Sequence, residues 1–236
     1  TYTSPEWYER EVERIFFKEW IVACRTDEIP NPGDYFLFEF LNEPIIIVRG
    51  KDNQVRAMSA SCRPRGTPIV EASGHCRVFR CPCHSWSYAL DGELLGGPPE
   101  MEETANFDKS EYGLIPIKSE IWDGFVYINL DPASRSLRAF LGDLPEKLAP
   151  YNLSNMRVTR RVRHDLDCNW KVYVENAMEE YHIGTVHRKT IQERMPGAWF
   201  TIEEAHGEYM PMYGRCEGSL ALLAGEWILR RRWGLR

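Results

Sequence analysis

The sequence lacks the features that mark several special classes of protein. No apolar run approaches the ~20 residues that a membrane-spanning helix needs, and no basic-then-apolar segment at the start predicts a signal peptide. Lys and Arg number 29 against 35 Asp and Glu, so the formal net charge is −6 and gives no support for nucleic-acid binding. We therefore expect a cytoplasmic protein with neither a membrane nor a nucleic acid as partner.

Cysteine is present in an odd number and is unevenly spaced. Of the seven cysteines, Cys76, Cys81 and Cys83 lie within eight residues. In a chain with no sign of secretion, such clustering indicates a metal site rather than a set of disulfide bonds.

The residue pattern predicts a β-rich module between two helical regions. Residues 1–20 are predicted to form a helix, with Ser4 as its cap and Pro5 in its first turn. Short alternating segments with turn residues between them then predict an antiparallel β module over residues 21–130. The expected strands cover residues 34–40, 44–50, 54–60, 75–80, 86–90, 113–119 and 124–130.

The second region, residues 131–236, is predicted to be an unfinished domain. Residues 136–151 are expected to form a helical linker, and alternation over residues 157–170 could open a second sheet. Residues 169–187 are predicted to be helical up to about His182, where Gly184 and Thr185 interrupt the pattern. After Gly197 only weak strand signals remain.

The first metal-like constellation lies in the β module. Cys62, Cys81 and His84 fit the pattern C-x-H-x16-C-x2-H, except that Pro64 occupies the place of the first histidine. This is the spacing of a Rieske [2Fe–2S] centre, in which cysteines hold one iron and histidines the other. Residues 62–96 resemble the Rieske segment of ring-hydroxylating oxygenase α subunits. That resemblance implies that Cys62, Cys81 and His84 bind a [2Fe–2S] cluster.

Pro64 and Cys83 depart from the oxygenase pattern. Proline has no donor atom, so the outer iron is expected to lose one protein ligand, and the loop around Pro64 is expected to be altered as well. "CPCH" resembles the second box of respiratory and photosynthetic Rieske proteins, where the second cysteine forms a disulfide. Its partner would fall at Thr67, so Cys83 is predicted to be a free, buried thiol. A core role for these cysteines, or a zinc site of Cys62, Cys76, Cys81 and His84, are the alternatives.

The second constellation is E-x2-H-x4-H in the second region. His182 and His187 with a carboxylate would form the facial triad of non-haem Fe(II) oxygenases. On one continuous helix the two histidines would diverge, and Gly184 is expected to turn the chain so that both reach one metal. Glu179 shares the helix face of His182. The family resemblance implies that Glu179 is an electron bridge to the Rieske histidine of a neighbouring subunit in a homotrimer, and glutamate here resembles the branch acting on quaternary ammonium compounds.

The third iron ligand has no clear candidate. The family expects a carboxylate far downstream, but only 49 residues follow His187 and none is Asp. The remaining glutamates are interpreted as surface charges; they are Glu193, Glu203, Glu204, Glu208, Glu217 and Glu226.

The sequence as a whole predicts an α+β chain: an antiparallel β Rieske [2Fe–2S] domain followed by the start of a helix-grip (START-like) catalytic domain. The resemblance implies a Rieske oxygenase large subunit carrying non-haem Fe(II). It would hydroxylate an aromatic or other small organic substrate with O₂ and electrons from an NAD(P)H-dependent reductase or a ferredoxin. An inactive Rieske-fold remnant with an impaired cluster, which Pro64 favours, and a Rieske-type electron-transfer protein are the alternatives.

Overall fold

A computed structural model describes residues 1–192, 200–205, 209–214 and 223–227. The chain folds into two compact units. One contains Tyr8–Leu137 together with Leu148–Val162, and the other contains Thr1–Trp7, Arg138–Lys147 and Arg163–Arg236. The first unit continues past residue 130, where the sequence suggested a boundary, and the predicted division into domains stays a prediction.

The N-terminal helix is shorter than predicted and changes its winding. Helix α1 spans Pro5–Glu11 and continues as a π-helical turn over Val12–Phe16. Ser4 Oγ accepts a hydrogen bond from the backbone N–H of Trp7 at 3.3 Å, as the predicted cap requires. The N–H of Phe17 closes the wider turn on the carbonyl of Val12, and the helix ends there rather than at residue 20.

Seven antiparallel strands form the large sheet of the first unit, in the order β1-β10-β9-β4-β3-β2-β5. Strands β6, β7 and β8 form a second, smaller sheet. The strands are β1 Ile21–Arg25, β2 Asp34–Phe40, β3 Glu43–Arg49, β4 Val55–Ser59, β5 Gly74–His75, β6 Phe79–Arg80, β7 Ser87–Tyr88, β8 Leu94–Gly96, β9 Pro116–Trp122 and β10 Phe125–Asn129. Helix α2 spans Pro99–Glu102. The antiparallel β module is confirmed.

The strand predicted over residues 75–80 is wrong as a single element. β5 ends at His75 and pairs with β2, whereas β6 begins at Phe79 and pairs with β7. The N–H of Cys76 donates to the carbonyl of Gly33 at 3.0 Å, which ends the pairing with the large sheet and lets the chain cross to the small one. β1 and β8 were not predicted.

Strand β3 is buried on both faces. Ile46 and Val48 belong to the core that lies under the small sheet, while Ile45 and Ile47 point into the core of the large sheet. Double burial explains why this strand reads as a continuous apolar run instead of an alternating one.

Two tight turns close the longest hairpins. Leu41 and Asn42 (φ +54° and +64°) link β2 to β3, and Asp123 and Gly124 (φ +48° and +86°) link β9 to β10. Positive φ at both central residues is the geometry of the type I′ turn, whose twist matches that of paired strands.

Arg25 anchors the end of this unit from a nearly buried position. Its side chain is only 9% exposed and pairs with Asp27, Nε to Oδ1, at 2.9 Å. Its Nη2 donates to the carbonyls of Leu153 and Met156, both at 2.9 Å, and its guanidinium lies 4.4 Å from the centre of the Phe125 ring. One side chain therefore holds the 153–156 backbone against the sheet.

Two carboxylates, Asp27 and Glu28, hold the chain from Val158 to Arg161 in the same way. Burial alone would raise the pKa of Asp27, but hydrogen bonds from the Val158 N–H and from Arg25 bring that pKa below its usual value. Burial would likewise raise the pKa of Glu28. The Arg161 guanidinium, which donates two hydrogen bonds to the Glu28 carboxylate, lowers that pKa below its usual value. The second sheet predicted to open over residues 157–170 is wrong, because this stretch forms no strand and instead bonds through its side chains and N–H groups.

The second unit mixes helices with a three-stranded antiparallel sheet in the order β11-β12-β13. Its strands are β11 Phe200–Ile202, β12 Met210–Gly214 and β13 Leu223–Trp227. Its helices are α3 Leu137–Leu141, whose first residue is the last of the 8–137 segment, α4 Leu144–Leu148 and α5 Trp170–Ala177. None of the helices within the described ranges is long and apolar enough to cross a membrane.

Candidate metal centres

The first candidate centre is built on two short loops, and the first of them is residues 62–66. The N–H of Cys62 donates to the carbonyl of Thr67 at 2.8 Å, and the N–H of Gly66 donates back to the carbonyl of Cys62 at 2.8 Å. Gly66 has φ +67°. Pro64, the third residue of the loop, is exposed and takes no part in these bonds. The expected distortion around Pro64 is therefore not seen in the backbone bonds that close the loop.

The second loop, residues 81–85, repeats the first bond for bond. The N–H of Cys81 donates to the carbonyl of Trp86 at 2.8 Å, and the N–H of Ser85 donates back to Cys81 at 3.0 Å. Ser85 has φ +60°, matching the glycine of the first loop. The two loops therefore have the same backbone structure. Each begins with a cysteine and is closed by two hydrogen bonds between main-chain groups.

The structure brings the two cysteine thiols together and leaves the histidine on the rim. Cys62 and Cys81 are 4% and 2% exposed and belong to the same core cluster. Tyr88 belongs to the same cluster. His84 and Pro64 are exposed. A buried sulfur pair and an exposed imidazole are what the predicted inner and outer ligands require.

Burial and hydrogen bonding act differently on the two thiols. Burial raises the pKa of Cys62 to about 11, although a contact with the Tyr88 hydroxyl, Sγ to Oη 3.3 Å, opposes the rise. Burial also works to raise the pKa of Cys81. There, donation from the backbone N–H groups of Cys83 and His84 and from the Cys62 thiol outweighs burial and lowers it. Cys81 is therefore the thiol whose anion the fold already stabilises.

Cys83 lies at the junction of the two loops. It forms no disulfide with any described cysteine, but it is exposed, so the predicted burial of this thiol is wrong. Its Sγ lies 3.4 Å from Oγ1 of Thr67, the residue at which the resemblance would place the disulfide partner. Among the residues that the structure describes, no three His, Cys, Asp or Glu side chains surround a single point closely enough to hold one ion. The alternative zinc site that includes Cys76 is thus not assembled.

The second candidate centre follows helix α5, which ends earlier than predicted. Asn169 caps the helix, its Oδ1 accepting from the N–H of Lys171 at 3.0 Å. The N–H of Met178 bonds to the carbonyl of Glu175, three residues back, and the helix stops at Ala177 instead of about His182. The tighter bond at Met178 ends the helix, so the break comes before the histidines and not at Gly184 as expected.

The structure brings Glu179, His182 and His187 together. A Glu179 carboxylate oxygen is hydrogen-bonded to Nδ1 of His182, and its other oxygen accepts the His182 backbone N–H at 3.2 Å. The two imidazole ring centres lie 5.3 Å apart, with 68° between their planes. A metal-bound imidazole nitrogen lies about 2.1 Å from the ion, so two rings sharing one ion have centres roughly 4.6–5.3 Å apart. The observed spacing fits a shared metal.

Glu179 also fixes the hydrogen position on the His182 ring. Partial burial opposes ionisation of Glu179, but the hydrogen bonds from the ring and backbone N–H of His182 hold the pKa of the carboxyl below its usual value. An ionised carboxylate only accepts, so Nδ1 of His182 carries the hydrogen in this bond, and Nε2 is the ring nitrogen left to face a metal. A carboxylate behind a histidine is the usual support of a metal-bound imidazole.

Among the described residues, no further carboxylate joins His182 and His187 as a third ligand. Glu203 and Glu204 are exposed, and Glu203 lies 3.8 Å from Lys147. The remaining predicted surface glutamates, Glu193, Glu208, Glu217 and the side chain of Glu226, lie outside the described residues. The described part of the second centre is thus a histidine pair with one supporting carboxylate.

Comparison with known proteins places both centres in one family. A Rieske [2Fe-2S] domain matches residues 19–108, and the catalytic domain of the ring-hydroxylating α subunit matches residues 153–219. The carnitine monooxygenase oxygenase subunit of Escherichia coli K12 is 32% identical in an alignment of 241 positions that covers 96% of this chain. The chain belongs to the Rieske non-haem iron oxygenase α-subunit family. The fold class predicted from the sequence is confirmed.

Other relatives of this Rieske-family chain differ in substrate. The glycine betaine monooxygenase oxygenase subunit of Pseudomonas aeruginosa PAO1 is 34% identical over 81% of the chain, and the anthranilate 1,2-dioxygenase large subunit of Acinetobacter baylyi is 36% identical over 82%. A crystal structure of the quaternary ammonium Rieske monooxygenase CntA is also similar, with a TM-score of 0.89 and 30% sequence identity. The match covers 96% of this chain and 63% of the CntA chain. The chain spans 63% of the length of the E. coli relative, and 44% and 43% of the other two.

The family implies a [2Fe–2S] cluster and a non-haem iron, and the two centres fit them unequally. The ring spacing of His182 and His187 and the support from Glu179 fit the iron. The cluster loops supply three of the four expected donors, because Pro64 replaces an imidazole. The donor set at the first centre therefore does not fit a two-histidine cluster.

Sequence reasoning missed two contacts at the first centre. It gave Tyr88 no role, whereas the Tyr88 hydroxyl contacts Cys62 Sγ and also accepts the Arg63 N–H at 3.3 Å. It did not foresee the equivalence of the two loops. The available signal was that Gly66 and Ser85, each tolerant of a tight turn, both stand four residues after a loop cysteine.

Proposed function

We propose that this chain is part of the large subunit of a Rieske oxygenase. It would hydroxylate a small organic substrate with O₂, using electrons from NAD(P)H that arrive through a reductase or a ferredoxin. The observation that carries the proposal is the hydrogen bond from His182 to Glu179 beside a second imidazole at metal-sharing distance. An electron carrier would have no need of this arrangement.

The residues of the second centre have distinct roles in this proposal. His182 and His187 hold ferrous iron, which in a two-histidine, one-carboxylate setting keeps positions open for O₂ and substrate. Glu179 does not bind the iron in this scheme. It orients the His182 ring, keeps the hydrogen on Nδ1, and faces the neighbouring subunit of a head-to-tail homotrimer as the expected electron bridge.

The proposed substrate class is a quaternary ammonium compound. Relatives named for carnitine and glycine betaine support it, as does glutamate rather than aspartate at position 179. The anthranilate dioxygenase relative supports an aromatic acid as the competing class.

Ferrous iron and nitric oxide test the second centre directly. With two imidazoles and no third ligand among the described residues, Fe(II) is expected to bind weakly in anaerobic isothermal titration. The iron-nitrosyl EPR signal should be lost in His182→Ala and in His187→Ala. It should persist in the control His75→Ala, whose imidazole is exposed and bonded to Asp34. Retention of the signal in His182→Ala would refute the assignment.

The same signal reports on the substrate. Carnitine or glycine betaine should change the shape of the nitrosyl spectrum, while anthranilate should not. A change with anthranilate alone would replace the proposed substrate class with an aromatic one.

Tight, stoichiometric iron binding that His182→Ala abolishes would mean that a third protein ligand exists, with Glu203 and Glu204 the first to be replaced.

A second candidate, the inactive Rieske-fold remnant, is favoured by Pro64. It predicts a folded chain that takes up neither iron at the histidine pair nor a cluster at the loops. Iron and sulfide analysis of the reconstituted chain separates it from the oxygenase proposal.

A further inference from the structure

The cluster loops keep their shape although one donor is missing. The first loop closes through the same two backbone bonds as the second, at 2.8 Å and 2.8 Å against 2.8 Å and 3.0 Å. Pro64 lacks an N–H, but neither closing bond uses the N–H of the third residue. The fold therefore offers a formed cradle that holds Cys62, Cys81 and His84 and lacks a fourth ligand.

Cys83 stands where a replacement would be needed. The pairing of the loops makes it the third residue of its loop, as Pro64 is the third residue of the other. Its Sγ reaches across to Oγ1 of Thr67, which directly follows the first loop, at 3.4 Å. The buried thiols of Cys62 and Cys81 and the exposed thiol of Cys83 thus belong to the same pair of loops.

The arrangement suits a two-iron cluster better than a single ion. Each iron of a [2Fe–2S] cluster takes two protein ligands, so no three donors need to converge on one point. This agrees with the absence of a three-donor group among the described side chains. The buried pair Cys62 and Cys81 suits the inner iron, and the exposed neighbours Cys83 and His84 suit the outer one.

We propose that Cys83 replaces the missing histidine, so that Cys62, Cys81, Cys83 and His84 hold a [2Fe–2S] cluster with three thiolates and one imidazole. The two outer ligands are consecutive, and the positive φ at Ser85 ends the loop directly after them. Each thiol loses its proton on binding. A thiolate in place of a neutral imidazole makes the cluster one charge more negative, which lowers its reduction potential below the Rieske range. The proposal depends on the Rieske domain and not on oxygenase activity.

Anaerobic reconstitution of the full chain with iron and sulfide tests the proposal. Four proteins are compared: the unmodified chain, Cys83→Ser, Pro64→His and the double variant Pro64→His/Cys83→Ser. Cys76→Ser is the matched control, because Cys76 lies in the same segment but outside the two loops. Cys83 is exposed, so its replacement should leave the far-UV circular dichroism unchanged.

The readouts are iron and sulfide per chain, the EPR spectrum after reduction, and the reduction potential. The unmodified chain and Cys76→Ser should hold two iron and two sulfide with an EPR spectrum unlike that of a Rieske centre, and Cys83→Ser should lose at least ten-fold in cluster content. Pro64→His should give a Rieske-type spectrum at a higher potential, and the double variant should retain that spectrum because the second imidazole makes Cys83 dispensable.

Three results would overturn the proposal. These are a Rieske-type spectrum from the unmodified chain, no cluster in the unmodified chain, and equal cluster content with identical spectra in the unmodified chain and Cys83→Ser. The last result would assign the fourth position to solvent. Sulfide content, the EPR spectrum after reduction and the reduction potential do not depend on iron at His182 and His187, so failure here and failure of the oxygenase proposal are distinguishable.

Discussion

Replacing Arg25 by methionine should release the 153–156 backbone from the sheet. The change removes three side-chain hydrogen bonds of a charged donor and leaves two carbonyls and the Asp27 carboxylate without that partner. A buried polar group left unpaired costs about 1–3 kcal/mol, and removing one partner of a buried ion pair costs about 3–5 kcal/mol. These losses overlap, and methionine restores part of the packing against Phe125. We expect the free energy of unfolding to fall by about 3–5 kcal/mol.

Urea denaturation and limited tryptic digestion measure this together. Trypsin should cut the Arg25→Met protein rapidly after Arg157 and Arg161, since the anchored segment opens locally. Arg56→Met is the matched control. Arg56 also pairs with an aspartate, but its side chain is 34% exposed and its partner 52%, so the unfolding midpoint should stay close to that of the unmodified chain. A loss below about 1 kcal/mol for Arg25→Met with an unchanged digestion pattern would refute the anchoring role.

Two further predictions concern the same unit. The pKa values of Asp27 and Glu28 are lowered in the folded state, so their contribution to stability is present above the usual carboxyl range and is lost as the pH falls through their folded-state values. The urea midpoint should therefore fall as the pH is lowered from about 6 to about 3, and it should fall less steeply in Glu28→Gln. The same pH dependence in both proteins would contradict a contribution from Glu28. Gly124→Ala and Gly66→Ala should each cost about 1 kcal/mol from positive φ. Gly124→Ala should cost more, because its methyl would lie 2.7 Å from the pinned Arg25 Nη2, whereas nothing lies within 4 Å at Gly66; equal urea midpoints would contradict this.

The strands were predictable where runs of apolar, β-branched and aromatic residues are bounded by turn residues. The expected strand over residues 34–40 is β2 residue for residue, and β10 lies within the segment expected at 124–130. Alternation failed over residues 157–170, where no strand forms and the Arg161 side chain bonds to Glu28. Local period cannot distinguish an extended segment held by ion pairs from a strand held by a ladder.

The spacing in the sequence identified the candidate metal residues, but it did not predict their surroundings. The i, i+3 relation correctly paired Glu179 with His182. The end of α5 at Ala177 could not be read from the sequence, because the residues after it are compatible with a helix and the break comes from one tighter hydrogen bond at Met178. Likewise, only the folded loops bring Cys83 to Thr67, sixteen residues away along the chain.

The main-chain closure of the two loops bears on how such a centre changes over evolutionary time. Because the closing bonds join backbone groups, an exchange at an exposed outer position such as residue 64 leaves the loops closed, and selection for a folded protein acts only weakly on that exchange. Ligand positions can then vary at little cost to folding, as Pro64 illustrates, and a lineage can pass through altered coordination and return by a single substitution. Only selection on electron transfer itself would hold the donor set constant.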